Sequence, residues 1–155
     1  MNDLPPATRN APGAVPITVL CVDDNPHVGE ALRLKFLRTP EFEWLGWLAV
    51  ADRLEEVVRA RPPAIVVLDV DMPGPSPFAV LATLSRTDPQ TRVIIFSGHV
   101  RPELVHRALE AGAWGYVSKN DGEEALLTAI REVTGPVAEL GLSPEARSAY
   151  LLGTE

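Results

Sequence analysis

Short, uninterrupted apolar runs alternate along this chain with segments of helical period. The runs are ITVLCV (17–22), WLGWLAV (44–50), AIVVLD (64–69), RVIIFS (92–97) and WGYVS (114–118). Between and after them come PHVGEALRLKFLR (26–38), DRLEEVVRA (52–60), FAVLATLSR (78–86), PELVHRALEAG (102–112) and EEALLTAIREV (123–133). A strand with one wet face alternates polar and apolar residues, whereas a strand covered on both faces reads as a continuous apolar run. Five such strands alternating with five helices predict a single doubly wound α/β domain, a five-stranded parallel sheet with right-handed crossovers. Local signals agree with this. Asn25 suits the cap and Pro26 the first position of the first helix, Asp52 the cap of the second, and Gly112 the C-terminal stop of the fourth.

With 155 residues, 46% of them hydrophobic, the chain is long enough for one domain with a real core. Residues 1–16, four of them proline, predict a flexible leader before a domain over 17–134. Residues 135–155 form a tail in which GLSPEARSAYLL predicts one short helix, with Ser143 as cap and Pro144 in its first turn. The net charge of −7 argues against a nucleic-acid surface, since phosphate contacts need Lys and Arg. Cys21 is the single cysteine, which excludes an intramolecular disulfide and a Cys-based zinc site. No signal peptide and no bilayer-length apolar stretch is visible, so the expectation is a soluble, cytoplasmic protein.

In an open α/β sheet, ligands gather beyond the carboxyl ends of the strands. Asp23 and Asp24 follow the first strand. The third ends at Asp69, with Asp71 two residues on; the fourth ends at Ser97; the fifth leads to Ser118 and Lys119. Any one of these could be a cap or a turn former. Together they place several carboxylates, a hydroxyl and an ammonium at one edge. Crowded carboxylates resist joint ionisation, and a hard divalent cation such as Mg²⁺, which takes oxygen ligands, removes that conflict. The lysine and the serine can hold the oxygens of a phosphoryl group, and a carboxylate beside the metal can serve as nucleophile.

The segment LDVDMPG (68–74) resembles the first motif of haloacid dehalogenase-like phosphatases, but the acidic pair then stands in the wrong order. The order of acidic pair, Asp, Ser and Lys at the ends of strands one, three, four and five resembles the receiver domain of two-component response regulators, a flavodoxin-like fold. The matching segments are VLCVDDNP, VVLDVDMPG, VIIFSGH, ALEAGAWGYVSKN and EEALLTAIREV, from about Ile17 to Val133. The Ala-Gly-Ala-x-Gly-Tyr run is close to the subgroup usually joined to a LuxR-type helix-turn-helix. The resemblance implies that Asp69 accepts a phosphoryl group from a histidine kinase or phosphotransfer protein. It implies that Asp23, Asp24, Asp69 and the backbone carbonyl of Asp71 hold Mg²⁺. Ser97 and Lys119 then bind the phosphoryl oxygens, Ser97 and Tyr116 form the switch, and Asp71 and His99 tune the lifetime of the phosphorylated state. Departures are Ser97 for the commoner Thr, Asn120 after the lysine where many receivers have Pro, and Pro-Ser-Pro-Phe after Gly74 where an Asp-Gly is usual.

Trp114 stands where the family has a small or polar residue, near the face of helix four, strand five and helix five. It reads equally as packing or as an anchor for a partner or a second copy, and that face is the expected site of a downstream target or of self-association. Trp44 and Trp47 read as core or edge packing, and His27 and His106 as solvated or capping residues. The tail faintly resembles the opening helix of the output domain of that subgroup, and the sequence ends before a recognition helix. The expectation is therefore a stand-alone receiver without direct nucleic-acid or membrane binding, not an enzyme acting on outside substrates. The alternatives are a receiver-fold scaffold that works without phosphate and, third, a small aspartyl phosphatase.

Overall fold

The computed structural model describes residues 14–153, so most of the expected leader lies outside the described residues. The strands are β1 (Ile17–Val22), β2 (Phe42–Leu48), β3 (Ile65–Leu68), β4 (Arg92–Ser97), β5 (Gly115–Ser118) and β6 (Gly141–Leu142). The helices are α1 (Pro26–Leu37), α2 (Leu54–Ala60), α3 (Pro77–Thr87), α4 (Pro102–Glu110), α5 (Glu123–Thr134) and α6 (Pro144–Leu152). One sheet runs in the order β2-β1-β3-β4-β5-β6, and every pairing is parallel. This is the doubly wound α/β fold that the alternating runs predict, with one strand more than the five expected.

The continuous apolar runs are explained by burial on both faces. Leu20, Val22, Val66, Leu68, Val93 and Ile95 face a layer made by α2, α3, α4 and α6. Their neighbours Val19, Cys21, Ile65, Val67, Ile94 and Phe96 face α1 and α5. Burial of each such side chain stabilises the fold by roughly 1.5–3 kcal/mol. Cys21 lies within the second layer, where burial pushes its thiol up to about 12, consistent with a core residue.

The expected caps are met at α1, where the Asn25 side chain accepts from the His27 N–H, and at α6, where Ser143 accepts from Ala146. Gly112 follows α4 with φ of +112°, a conformation that favours glycine. Asp52 does not cap α2. The helix begins one residue later than expected, and its N-cap is Arg53, with no side-chain bond to the helix. The second strand also starts earlier than its apolar run, because Phe42 and Glu43 pair with Ile17 and Thr18.

The tail does more than form a helix. Gly141 N donates to Trp114 O, and Ser143 N donates to Tyr116 O, which extends the sheet past β5. Leu142, Ala146 and Ala149 are buried, and the His106 ring stacks on Tyr150 at 4.8 Å while Nε2 contacts the Tyr150 carbonyl at 2.9 Å. His106 is therefore a packing residue of the α4–α6 contact rather than a solvated one. The face of α4, β5 and α5 that was expected to receive a partner is covered along α4 and the β5 edge by residues 141–152. Trp114 lies on the other side of the sheet from α4 and α6. It is half-buried against the α1–α5 layer, with the Arg92 guanidinium 4.1 Å from its ring.

The close fit of β6 gives a stability prediction. A Cβ on Gly141 would lie 2.6 Å from the Ala129 carbonyl oxygen. Gly141→Ala should therefore lower unfolding stability by about 1–3 kcal/mol in urea denaturation, and should speed amide exchange at Ser143, whose N–H bonds the β5 edge.

Candidate functional site

The site lies at the carboxyl ends of the central strands, and the topology builds it. β1 pairs with β3, so the residues following each, Asp23 and Asp69, are brought together. The backbone bond from Asp69 N to Val22 O, 3.0 Å, fixes the step. Carboxylate oxygens of Asp23, Asp24 and Asp69 all lie within 4.8 Å of one another. Asp23 and Asp69 are 2% and 3% exposed, so both are almost withdrawn from solvent, whereas Asp24 is exposed.

Lys119, delivered by β5, reaches across the cluster. Its Nζ is 2.8 Å from Asp23 Oδ2 and 3.8 Å from Asp69 Oδ1. One ammonium thus serves two buried carboxylates. Burial and then the Asp23 charge push Asp69 up to about 6, while Lys119 and the Asp71 N–H, 3.2 Å from Asp69 Oδ1, work in the opposite direction. A cluster of oxygen donors with excess negative charge fits a hard divalent cation, and the absence of nitrogen and sulfur donors from this trio fits Mg²⁺ better than a softer metal.

Asp71, Ser97, His99 and Tyr116 form a second group beside it. Ser97 Oγ donates to Asp71 Oδ2 at 3.2 Å and accepts from His99 N at 3.0 Å. His99 Nδ1 lies 2.6 Å from the same Asp71 oxygen. The Tyr116 hydroxyl donates to the His99 carbonyl at 2.7 Å, and the ring is fully buried, which pushes the phenol up to about 12. The structure thus gathers every residue expected at the site except Trp114, and splits them into a carboxylate–lysine cluster and a hydroxyl chain joined through the segment from Asp69 to Asp71.

The contacts that Trp47 and Glu145 make at the site were not legible in the sequence. Trp47 Nε1 donates to the Asp23 carbonyl at 2.6 Å. Ser118 and Asn120, on either side of Lys119, both bond Glu145 of α6, and Glu145 N donates to Asp121 Oδ2 at 2.9 Å. These contacts join positions distant in sequence, and no local pattern announces them.

The fold and this set of residues define a doubly wound α/β domain with an acidic site at its strand ends, and the comparisons name the family. The profile described as "Response regulator receiver domain" matches residues 19–131, most of the chain. The chain belongs to the response regulator receiver family. It is 32% identical over 123 residues to a probable transcriptional regulatory protein, SgaR, of Hyphomicrobium methylovorum, covering 79% of this chain and 58% of that protein. It is 28% identical to the nitrate/nitrite response regulator protein NarL of Escherichia coli K12, covering 76% and 54%. The chain thus spans little more than half the length of these curated relatives. A crystal structure of a LuxR-family two-component response regulator from Aurantimonas sp. SI85-9A1 superposes with a TM-score of 0.83 at 28% identity, covering 90% of this chain and 99% of that one. Among the described residues no helix is long and apolar enough to cross a membrane.

The raised Asp69 carboxyl has a signed consequence. Its folded pKa lies above the ordinary carboxylate value, so the metal-free fold binds the extra proton and loses stability as pH rises from about 4 to about 6. Asp69→Asn should therefore stabilise the metal-free protein at pH 7.5, by on the order of 2 kcal/mol, and the gain should vanish below pH 4. Urea denaturation of both proteins across pH, in chelator, reads this directly.

Proposed function

We propose that this receiver takes a phosphoryl group onto Asp69 from the phosphohistidine of a kinase or phosphotransfer protein, in a Mg²⁺-dependent step, in the cytoplasm. The observation that carries this reading is the buried Asp69 carboxylate standing among Asp23, Asp24 and Lys119 with a serine hydroxyl on the neighbouring strand end. The Asp69 oxygen attacks phosphorus, a P–O bond forms, and the P–N bond to the donor imidazole breaks with its electron pair going to nitrogen. Asp23, Asp24, Asp69 and the Asp71 carbonyl are the residues that would hold Mg²⁺, which supplies charge neutralisation at the phosphoryl oxygens when bound. Lys119 sits where it can exchange part of its Asp23 contact for a phosphoryl oxygen.

Signalling in this reading begins at Ser97. Its hydroxyl faces Asp71, and a phosphoryl group on Asp69 adds about −1.5 to −2 charges and strong acceptors that compete for it. When Ser97 turns, the His99 amide loses its acceptor, and the Tyr116 hydroxyl bonds that same residue's carbonyl. Tyr116 and Ser118 also hold Ser143 of the tail, so the change reaches α6 and alters the protein-binding face there. The relatives are named as transcriptional regulators, and control of transcription through a partner or an attached output fits this reading. Self-phosphorylation and self-dephosphorylation are the only reactions it requires. The complete acidic, hydroxyl and lysine set disfavours a scaffold that works without phosphate.

Incubation with acetyl phosphate and Mg²⁺ should add one phosphate to the intact mass. Asp69→Asn, or chelation of the metal, should abolish the adduct, and an unmodified wild type would sink the proposal unless beryllofluoride still perturbs its tryptophan fluorescence. His99 holds Asp71 at the mouth of the site, so His99→Ala should change the half-life of the adduct severalfold while its final yield at high donor stays the same. Equal half-lives would remove His99 from that role.

A further inference from the structure

Trp47 occupies an unexpected place. Strict alternation along β2 would put Trp44 and Trp47 on opposite faces of the sheet. The register between β1 and β2 slips by one residue, with Val19 opposite Trp44 and Leu20 opposite Gly46. Leu45 is the extra residue, and Gly46 carries φ of +144°. After the bulge Trp47 stands opposite Cys21, whose side chain belongs to the α1–α5 layer, so both tryptophans share that side.

The ring then lies against Gly29 in the first turns of α1. A Cβ at Gly29 would be 2.5 Å from the indole, so only glycine admits it there. Its N–H reaches the Asp23 carbonyl at 2.6 Å. That carbonyl belongs to the peptide linking Asp23 to Asp24. On the other side, Asn25 N donates to Asp23 Oδ1 at 2.9 Å, and the Asn25 carbonyl starts α1. Asp23 N is bonded to Leu48 O at 3.0 Å. The Asp23 backbone is therefore held at both ends by β2, through Leu48 at its nitrogen and Trp47 at its oxygen. Asp24 has no hydrogen bond or ion pair to a described residue, so its carboxylate direction depends on the peptide plane before it.

We propose that Trp47 is a positioning residue for the metal site: its indole N–H fixes the Asp23–Asp24 peptide plane and so aims the Asp24 carboxylate at the cation held with Asp69. The inference rests on the receiver reading given above and adds a residue to it. The β2 bulge and Gly29 are the two features that let the indole arrive. Trp47 touches no reacting atom, so its loss weakens metal binding without slowing phosphoryl transfer once metal is bound.

The test uses Mn²⁺ as a paramagnetic probe, counted free by electron paramagnetic resonance, with Mg²⁺ read by competition. Trp47→Phe keeps an aromatic ring but removes the donor. Gly29→Ala keeps the donor but displaces the ring, and favours the helix by its propensity, so it guards against a folding artefact. Each single variant should bind Mn²⁺ and Mg²⁺ about three- to tenfold more weakly, the size expected for one hydrogen bond. The double variant should be no weaker than Trp47→Phe, and acetyl phosphate labelling at saturating Mg²⁺ should match wild type. Metal affinity in Trp47→Phe within twofold of wild type would overturn the inference and leave the receiver reading intact. A labelling defect that persists at saturating Mg²⁺ would also overturn it, since that marks a general structural role. Wild type that binds neither ion would overturn both.

Discussion

The structure turns on one electrostatic imbalance. Asp23 and Asp69 are both almost buried, both lie at the carboxyl edge of the sheet, and share the single ammonium of Lys119. Like charges withdrawn from water resist joint ionisation, and here the cost falls on Asp69, whose carboxyl is pushed up to about 6. A site built this way is strained toward cation or proton. The rest of the fold holds it in place: β1 and β3 are hydrogen-bonded neighbours, β4 brings Ser97 beside them, and β5 carries the lysine. The apolar layers on both faces keep these strand ends fixed, so the charges cannot relax apart.

Lys119 also lies on the route outward. The residues beside it, Ser118 and Asn120, bond Glu145, and β5 itself carries β6 on its free edge. The tail closes what would be an open sheet edge next to the site, and a parallel edge left open is a template for unwanted pairing. It also places Ala146 and Ala149, small residues, against α4, which lets two helices approach closely. The partner face expected on α4, β5 and α5 is consequently occupied by the chain's own segment along much of its length, and Trp114 packs on the opposite layer under Arg92.

Most of the fold and most of the site were legible in the sequence. The five strands and five helices of the domain begin and end within two residues of where the runs put them, since burial on both faces writes an unbroken apolar word that survives without tertiary context. The candidate site residues Asp23, Asp24, Asp69, Asp71, Ser97 and Lys119 were legible because each lies at the end of an apolar run or within two residues of it, and strand ends converge in this topology. What failed was local or long-range in a specific way. Asp52 has the chemistry of a cap, yet α2 begins a residue too late for it. GLSP reads as a helix start and is one, but its first two residues, Gly141 and Leu142, pair as a sixth strand, too short a segment to carry any period.

The sequence by itself determined the class of fold, the order of chemical groups along the sheet edge and the family, because periodicity and spacing are properties of one dimension. Only the tertiary structure decided which groups share a charge, that Ser97 rests on Asp71, that the tail covers the β5 edge, and that Trp47 crosses to the α1 side. Each of these is a contact between segments far apart in the chain. The last depends on a one-residue slip between two strands, which reverses the parity that any alternating pattern assumes.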